Sequence, residues 1–406
     1  MELLMNIIRN LTLELQNKIH IDEIVLIIGA RQVGKTTVLK QLKNFLEKNK
    51  YPCFYLTLED PEYLSELNKS PKKIFELFTF ESQQKNYLFI DEIQYLNNPT
   101  NFLKYMYDEY KKKIKIIASG SSAFYLDKKF TDSLAGRKKI YQLPTLSFKE
   151  FLTFKEQNNL SKKNFSQLKI AERDMLIPYF SEYIIYGGYP KVVLSPLSEK
   201  EQTLEDIAYS YIKKDVYESG LRQDEVFYRL FRMLANQIGN LINTFEISKT
   251  LGISKPTVDN YLYIMQKSFH IVLLRPFTNN LRKELTKMPK VYFQDIGLRN
   301  FFKKNYASFH QREDKGALLE NAVWRQLSEN ISQQNIRFWR TQQKQEVDFI
   351  VNNDLALEVK TQLKNLKLSS YRAFTNAYPK IKLTFVTFNA EEKFLNNYPI
   401  KNVWEI

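Results

Sequence analysis

Residues 24–28 read Ile-Val-Leu-Ile-Ile, an apolar and mostly β-branched run preceded by Asp22-Glu23 and followed by a glycine. Such a run predicts a strand. After a turn, Val38, Leu39, Leu42, Phe45 and Leu46 recur at the spacing of one helical face and predict an amphipathic helix. Tyr87-Leu88-Phe89-Ile90 and Ile114-Lys115-Ile116-Ile117-Ala118 predict two more strands, and the alternation of such runs with helices points to a parallel sheet. Ahead of them, Leu3, Leu4, Ile7, Ile8, Leu11 and Leu15 mark an amphipathic N-terminal helix. From Ser147 to about Arg222 the pattern is helical (Phe148, Phe151, Leu152, later Ile184 and Ile185), broken by a tight turn at Gly187-Gly188-Tyr189-Pro190. Residues 231–277 read helix, helix, turn, helix, strand. Beyond Tyr306 a helix spans 316–324, and the alternating runs 345–351 and 355–360 flank Asn352-Asn353-Asp354, which predicts a β-hairpin.

The turn after the first strand carries the chemistry. It reads Gly29-Ala30-Arg31-Gln32-Val33-Gly34-Lys35-Thr36-Thr37 in a chain with only eleven glycines. Gly29 and Gly34 let the backbone curl so that its N–H groups face phosphate oxygens. Lys35 offers a cation to the β- and γ-phosphates, and Thr36 a hydroxyl to Mg²⁺. The following helix turns its positive N-terminus to the same anion. The loop predicts a nucleoside triphosphate site for ATP with Mg²⁺.

The strand Tyr87–Ile90 ends in Asp91-Glu92. In open α/β sheets ligands sit at the carboxyl ends of strands, where Asp91 can hold Mg²⁺ largely through water and Glu92 can activate the attacking water. The strand Ile114–Ala118 runs into Ser119-Gly120-Ser121. Ser121, with Ser119 as the second choice, is placed to sense the γ-phosphate, or else to cap a turn. Arg137, in Leu134-Ala135-Gly136-Arg137, is either a surface arginine or a group that reaches the nucleotide of an adjacent subunit.

These segments, together with Tyr186–Pro190 (YGGYP) and Tyr211–Val216 (YIKKDV), occur in the order seen in an AAA+-type P-loop ATPase family of bacteria and archaea. The chain resembles that family over nearly its whole length. The resemblance implies that Ser121 is the sensor, that Arg137 is an arginine finger, and that the active form is a homo-oligomer.

Two further modules are expected. In 245–258, Gly252 occupies a short turn, Ser254 is placed to cap the next helix and Pro256 lies in its first turn. That helix is expected to bury Val258, Leu262 and Met265 and to show Lys255, Thr257, Asn260 and Tyr261. Strands 271–274 and 290–293 flank a basic loop (Arg282, Lys283, Lys287). A helix-turn-helix followed by such a hairpin is a winged helix, whose second helix can enter a major groove; a purely structural role is the alternative. In the predicted C-terminal hairpin, Glu358 and Lys360 share a face and Asp348 lies on the partner strand. Asp followed by Glu-x-Lys resembles the PD-(D/E)xK nucleases, in which two carboxylates hold Mg²⁺ and the lysine helps activate water. Glu320 matches an additional acidic position of that family. The pattern implies a restriction-endonuclease-like domain with a second Mg²⁺ at Asp348 and Glu358, either cleaving or serving as a binding platform.

The fold class expected is therefore multidomain α/β. Its parts are an ATPase core with a P-loop parallel sheet (1–145), a helical lid (146–225), a winged helix (226–304) and a nuclease-like α/β domain (305–406). The net charge of +15 favours an anionic partner, with DNA ahead of an acidic membrane surface. The one cysteine, Cys53, excludes an internal disulfide framework and a cysteine-built zinc site, and the three histidines (His20, His270, His310) are far apart. No apolar run approaches the roughly 18 residues of a membrane span, and residues 1–15 lack the features of a signal peptide. A cytoplasmic ATPase that couples hydrolysis to nucleic-acid handling, in DNA maintenance or defence, is the first expectation. A nucleotide-gated switch whose C-terminal modules bind proteins is the second.

Overall fold

The computed structural model describes residues 7–120, 134–219, 224–278, 284, 287–364 and 366–406, with the backbone alone over 211–219. It forms two compact units, Met1–Thr145 with Lys267–Phe269, and Leu146–Gln266 with His270–Ile406.

In the first unit, α1 (Asn10–Lys18) precedes β1 (Ile24–Ile28), α2 (Lys35–Lys48), β2 (Cys53–Thr57), α3 (Pro61–Lys69), β3 (Asn86–Asp91), α4 (Pro99–Tyr110), β4 (Ile114–Gly120) and β5 (Lys138–Gln142). The five strands form one parallel sheet in the order β2-β3-β4-β1-β5. Parallel neighbours need crossover connections that cover the sheet faces, so the inner strands β1, β3 and β4 are buried on both sides and read as near-continuous apolar runs, whereas the edge strands β2 and β5 are partly exposed. All of β3 and β4 is buried, and Leu26, Leu56, Leu88, Ile90, Leu103 and Ile116 share one core. Because β4 lies between β3 and β1, the carboxyl ends of these three strands meet at one edge.

Among the described residues the first helix starts at Asn10 and leaves out Ile7 and Ile8, which the apolar spacing would include; Leu3 and Leu4 lie outside the described residues. The reason is Arg9, which is extended and buried, its guanidinium donating to Val33 O at 2.6 Å and Pro144 O at 2.9 Å. Those bonds take the chain out of the helix at that point.

The second unit begins with helices α5 (Phe148–Phe154) and α6 (Ile170–Tyr186). A capping box starts α5: Ser147 Oγ accepts from Glu150 N at 3.1 Å, and Glu150 Oε2 accepts from Ser147 N at 3.0 Å. Then come α7 (Lys200–Ser219), α8 (Asp224–Asn236), α9 (Thr244–Leu251) and α10 (Lys255–Lys267). The antiparallel pair β6 (Ile271–Leu274) and β7 (Lys290–Phe293) follows. Ser254 Oγ accepts from Thr257 N at 3.2 Å at the start of α10. Tyr261, expected on the outer face of α10, is buried against Phe227 with ring centroids 5.4 Å apart. It lies three residues after Val258 and four before Met265, and so completes the apolar stripe; Tyr263 is the exposed tyrosine. Of the basic loop, Lys287 is exposed, whereas Arg282 and Lys283 lie outside the described residues.

The remaining elements are α11 (Ile296–Lys303), α12 (Lys315–Asn330), β8 (Ile336–Arg340), β9 (Glu346–Val351), β10 (Leu355–Val359), β11 (Lys382–Thr387), β12 (Phe394–Leu395) and β13 (Tyr398–Asn402). The strands form a mixed sheet in the order β12-β13-β11-β10-β9-β8. The turn joining β9 to β10 places Asn352 and Asn353 at φ of 50° and 63°, left-handed conformations that asparagine tolerates better than most residues. No helix among the described residues is long and apolar enough to cross a membrane.

Candidate functional site

The loop between β1 and α2 lies at the edge where β1, β3 and β4 end. Gly34 sits at the helix start with φ of 100°, a conformation that strains any side chain. Gly29 is fixed by proximity: a Cβ there would lie 2.2 Å from Leu143 O. Ala30 and Val33 are buried, Gln32 is exposed with φ of 56°, and Arg31, Thr36 and Thr37 are half-buried. Lys35 is buried, and its ammonium donates to Gly29 O at 3.1 Å and Ala30 O at 2.9 Å, which holds the cation over the loop. Buried Arg9, which donates to Val33 O, braces the loop from beneath; no periodicity or motif marks it in the sequence.

Asp91 joins the loop to the sheet. Its Oδ2 accepts from Thr36 Oγ1 at 2.6 Å and from Tyr55 Oη at 3.0 Å, and its Oδ1 accepts from Ser119 Oγ. Burial, and then the charge of Asp91, push the Tyr55 hydroxyl well above its ordinary range, so it remains a donor. Ser119 Oγ also accepts from the Glu92 backbone N–H at 3.1 Å, and one hydroxyl therefore positions both acidic residues. Glu92 is left-handed at φ 57° and ψ 49°, a conformation costing about 1–2 kcal/mol in a non-glycine residue, and its carboxylate accepts from Gln94 Nε2. The hydroxyl and carboxylate at Thr36 and Asp91 are the hard oxygen donors that Mg²⁺ takes together with waters and phosphate oxygens. Ser121 lies outside the described residues, whereas Ser119, the second choice, is in contact with both acids.

Arg137 is not brought to this loop. It directly precedes β5, and its carbonyl accepts from Ile24 N at 2.8 Å at the amino end of β1, about 15 Å of strand away from Gly29. Its guanidinium grips Asp108 of α4, Nε to Oδ1 at 2.7 Å and Nη2 to Oδ2 at 3.3 Å, while about a third exposed.

In the second unit, Glu320 of α12, Asp348 of β9, and Glu358 and Lys360 at the end of β10 come together. Asp348 Oδ2 accepts from Val359 N at 2.9 Å, and Glu358 Oε1 accepts from Lys360 Nζ and from Tyr371 Oη at 2.9 Å. Glu358 Oε2 is buried without a hydrogen-bond partner. Burial and Asp348 push the Glu358 carboxyl up against the pull of Lys360. The unforeseen residue is Lys290 of β7, with 1% of its side chain exposed and its ammonium 2.9 Å from Glu320 Oε1, 2.5 Å from Glu346 Oε1 and 3.5 Å from Asp348 Oδ1. Two residues on, Tyr292 Oη donates to the same Glu320 oxygen. Burial opposes the charge of Lys290, yet its pKa lies well above the ordinary lysine range because Tyr292, Glu320, Asp348 and Glu346 surround it. The signal available in the sequence was a lysine in an otherwise apolar strand, which requires an acidic partner.

The second Mg²⁺ expected at Asp348 and Glu358 does not fit this arrangement, since an ammonium already lies among the carboxylates. Among the described residues no group of three or more His, Cys, Asp or Glu is arranged to hold a metal ion.

Residues 21–152 match the family model described as an AAA domain. The matched segment covers most of the first unit. Residues 177–308 and 315–406 match two domains of unknown function (DUF8612 and DUF4143). An uncharacterized protein of Methanocaldococcus jannaschii is 28% identical over 395 residues, covering 93% of this chain and 85% of its own length. One of Haemophilus influenzae is 28% identical over 318 residues, covering 75% and 74%. Among solved structures, the RuvB Holliday junction branch migration motor of Thermotoga maritima is 16% identical with a TM-score of 0.33, covering 68% of this chain and 92% of that one. The Aeropyrum pernix ORC1 protein in complex with DNA is 11% identical with a TM-score of 0.32, covering 75% and 92%. The AAA domain thus coincides with the sheet that carries Lys35, Thr36, Asp91 and Glu92.

Proposed function

We propose that this chain hydrolyses ATP with Mg²⁺ and couples the cycle to binding of nucleic acid, DNA in the first place. The carrying observation is the pairing of Thr36 Oγ1 with Asp91 Oδ2 at 2.6 Å, beside Lys35. Thr36 and Asp91 would hold Mg²⁺, which supplies positive charge against the phosphates. The amides of Gly29 to Thr37 bind the phosphate oxygens, and Lys35 exchanges the carbonyls of Gly29 and Ala30 for β- and γ-oxygens. Glu92 accepts a proton from the attacking water, and Ser119 or Ser121 orients it. Arg137, one strand length from its own loop, acts on the nucleotide of a neighbouring copy in a homo-oligomer.

In the second unit, α8 to α10 with the β6–β7 pair are read as a winged helix. The outer face of α10 offers Lys255, Asn260 and Tyr263, all exposed, which suits phosphate contacts better than base readout. The six-stranded sheet with Glu320, Asp348, Glu358 and Lys360 is read as a nuclease-like domain that serves as a platform and does not cut. The ammonium of Lys290 among its acids favours that reading. The same observation supports the rival, a nucleotide-gated switch that binds protein partners.

Two measurements test this. Lys35→Ala is expected to abolish ATP turnover, and unchanged hydrolysis would overturn the ATPase reading. DNA affinity measured across salt, with and without ATP, is expected to fall with a log–log slope of several units. A flat or absent response would select the protein-binding switch.

A further inference from the structure

We infer that Lys290 is a built-in cation that fills the acidic centre of the C-terminal domain in place of a divalent metal ion, clasping the β6–β7 hairpin onto the C-terminal sheet. The inference is independent of the ATPase reading and rests on geometry within the second unit alone.

Two elements converge on one ammonium. α12 supplies Glu320 at 2.9 Å, and β9 supplies Glu346 at 2.5 Å and Asp348 at 3.5 Å. Glu346 and Asp348 are two apart on one strand and so share a face. Lys290 and Tyr292 are likewise two apart on β7, and both reach Glu320 Oε1. Tyr292 is locked there by stacking on Trp324, 6.2 Å between centroids at 4°, and by Phe349 at 5.5 Å. The stem of Lys290 is wholly buried, its ammonium 5.6 Å from the centre of the Phe338 ring.

The four carboxylates of Glu320, Glu346, Asp348 and Glu358 face the cations Lys290, Lys360 and Arg340, the last two bonded to Glu358 and Glu346. With Lys290 in place, these three cations already offset most of the charge of the acids. Asp348, the one acid lying near both Glu320 and Glu358, has both oxygens engaged, Oδ1 by Lys290 and Oδ2 by the Val359 amide. A divalent ion entering the centre would meet a fixed ammonium at close range, and such like-charge contact in a buried site is costly.

The experiment is Mn²⁺ binding to the full chain without nucleotide, read from the electron paramagnetic resonance signal of free Mn²⁺. Wild type and Asp348→Asn are expected to give the same isotherm. Lys290→Met is expected to gain about one site per chain, and the double variant Lys290→Met/Asp348→Asn to lose it. Lys290→Arg, which keeps the charge, should behave as wild type. A wild-type site that disappears in Asp348→Asn would overturn the proposal, as would a folded Lys290→Met that gains none. Should Lys290→Met fail to fold, the wild-type and Asp348→Asn pair still decides: equal isotherms support the clasp and a lost site refutes it.

Discussion

Thr36 and Asp91, 55 residues apart in sequence, share a hydrogen bond of 2.6 Å between Oγ1 and Oδ2. It joins the first turn of the helix after the phosphate loop to the end of a strand two places away in the sheet. Loop and acid are thus held as one unit. Asp91→Asn keeps the shape but removes the charge, and is expected to abolish the Mg²⁺ dependence of nucleotide binding, measured by titrating a fluorescent ATP analogue with and without Mg²⁺.

Glu92 and Ser119 should separate chemistry from binding. Glu92→Gln is expected to lower the turnover rate by about 10²–10⁴-fold, the contribution typical of a positioned general base, while ATP affinity stays near wild type. Ser119→Ala removes the donor to Asp91 and the acceptor for the Glu92 amide, and should lower turnover as well. Full activity in Ser119→Ala would leave the sensing role to Ser121.

Arg9 should matter more than its position suggests. Arg9→Ala leaves the carbonyls of Val33 and Pro144 without their donors, a loss of about 1–3 kcal/mol for such a buried group. The expected result is a lower midpoint in chemical denaturation together with weaker ATP binding. An unchanged midpoint would show that the loop stands without this brace.

Arg137 offers a test of assembly. Arg137→Ala is expected to lower turnover by about 10³-fold, as for removal of an arginine finger. Mixing it with Lys35→Ala should restore part of the activity, since each copy supplies what the other lacks. No recovery on mixing would count against action across subunits.

Asp314 sets an acid limit on the second unit. Burial pushes its carboxyl up, but hydrogen bonding to Arg312 and the charge and hydrogen bond of Arg299 outweigh it and hold the pKa at about 2; Arg299 Nη1 lies 2.6 Å away. A pKa below the ordinary value stabilises the fold above pH 4, and that stability is lost as pH falls through about 2. The shift is worth about 2 kcal/mol. Urea unfolding of wild type and Asp314→Asn should differ by about that much at pH 7 and converge as pH drops from 4 toward 2.

By itself the sequence determined the parallel sheet of the first unit and the loop it carries. The runs 24–28, 87–90 and 114–118 had to be strands, because parallel strands buried on both faces leave no polar alternation. Gly34-Lys35-Thr36 and Asp91-Glu92 were legible because backbone curvature and phosphate chemistry restrict which residues can stand there. Strands β6 and β7 were placed at the same bounds, since both are short apolar runs flanked by turn and charged residues. Tertiary structure alone decided the partners. Asp91 takes Tyr55 and Ser119 as donors because β3 lies between β2 and β4, a strand order that no local pattern encodes. Arg9 braces the loop through carbonyls that offer no sequence signal. The Asp348, Glu358 and Lys360 set was readable as a motif, but its meaning changed once Lys290 arrived from a strand 58 residues away from Asp348. Spacing along the chain reports which groups can share a face; which charge lies among them is decided by packing.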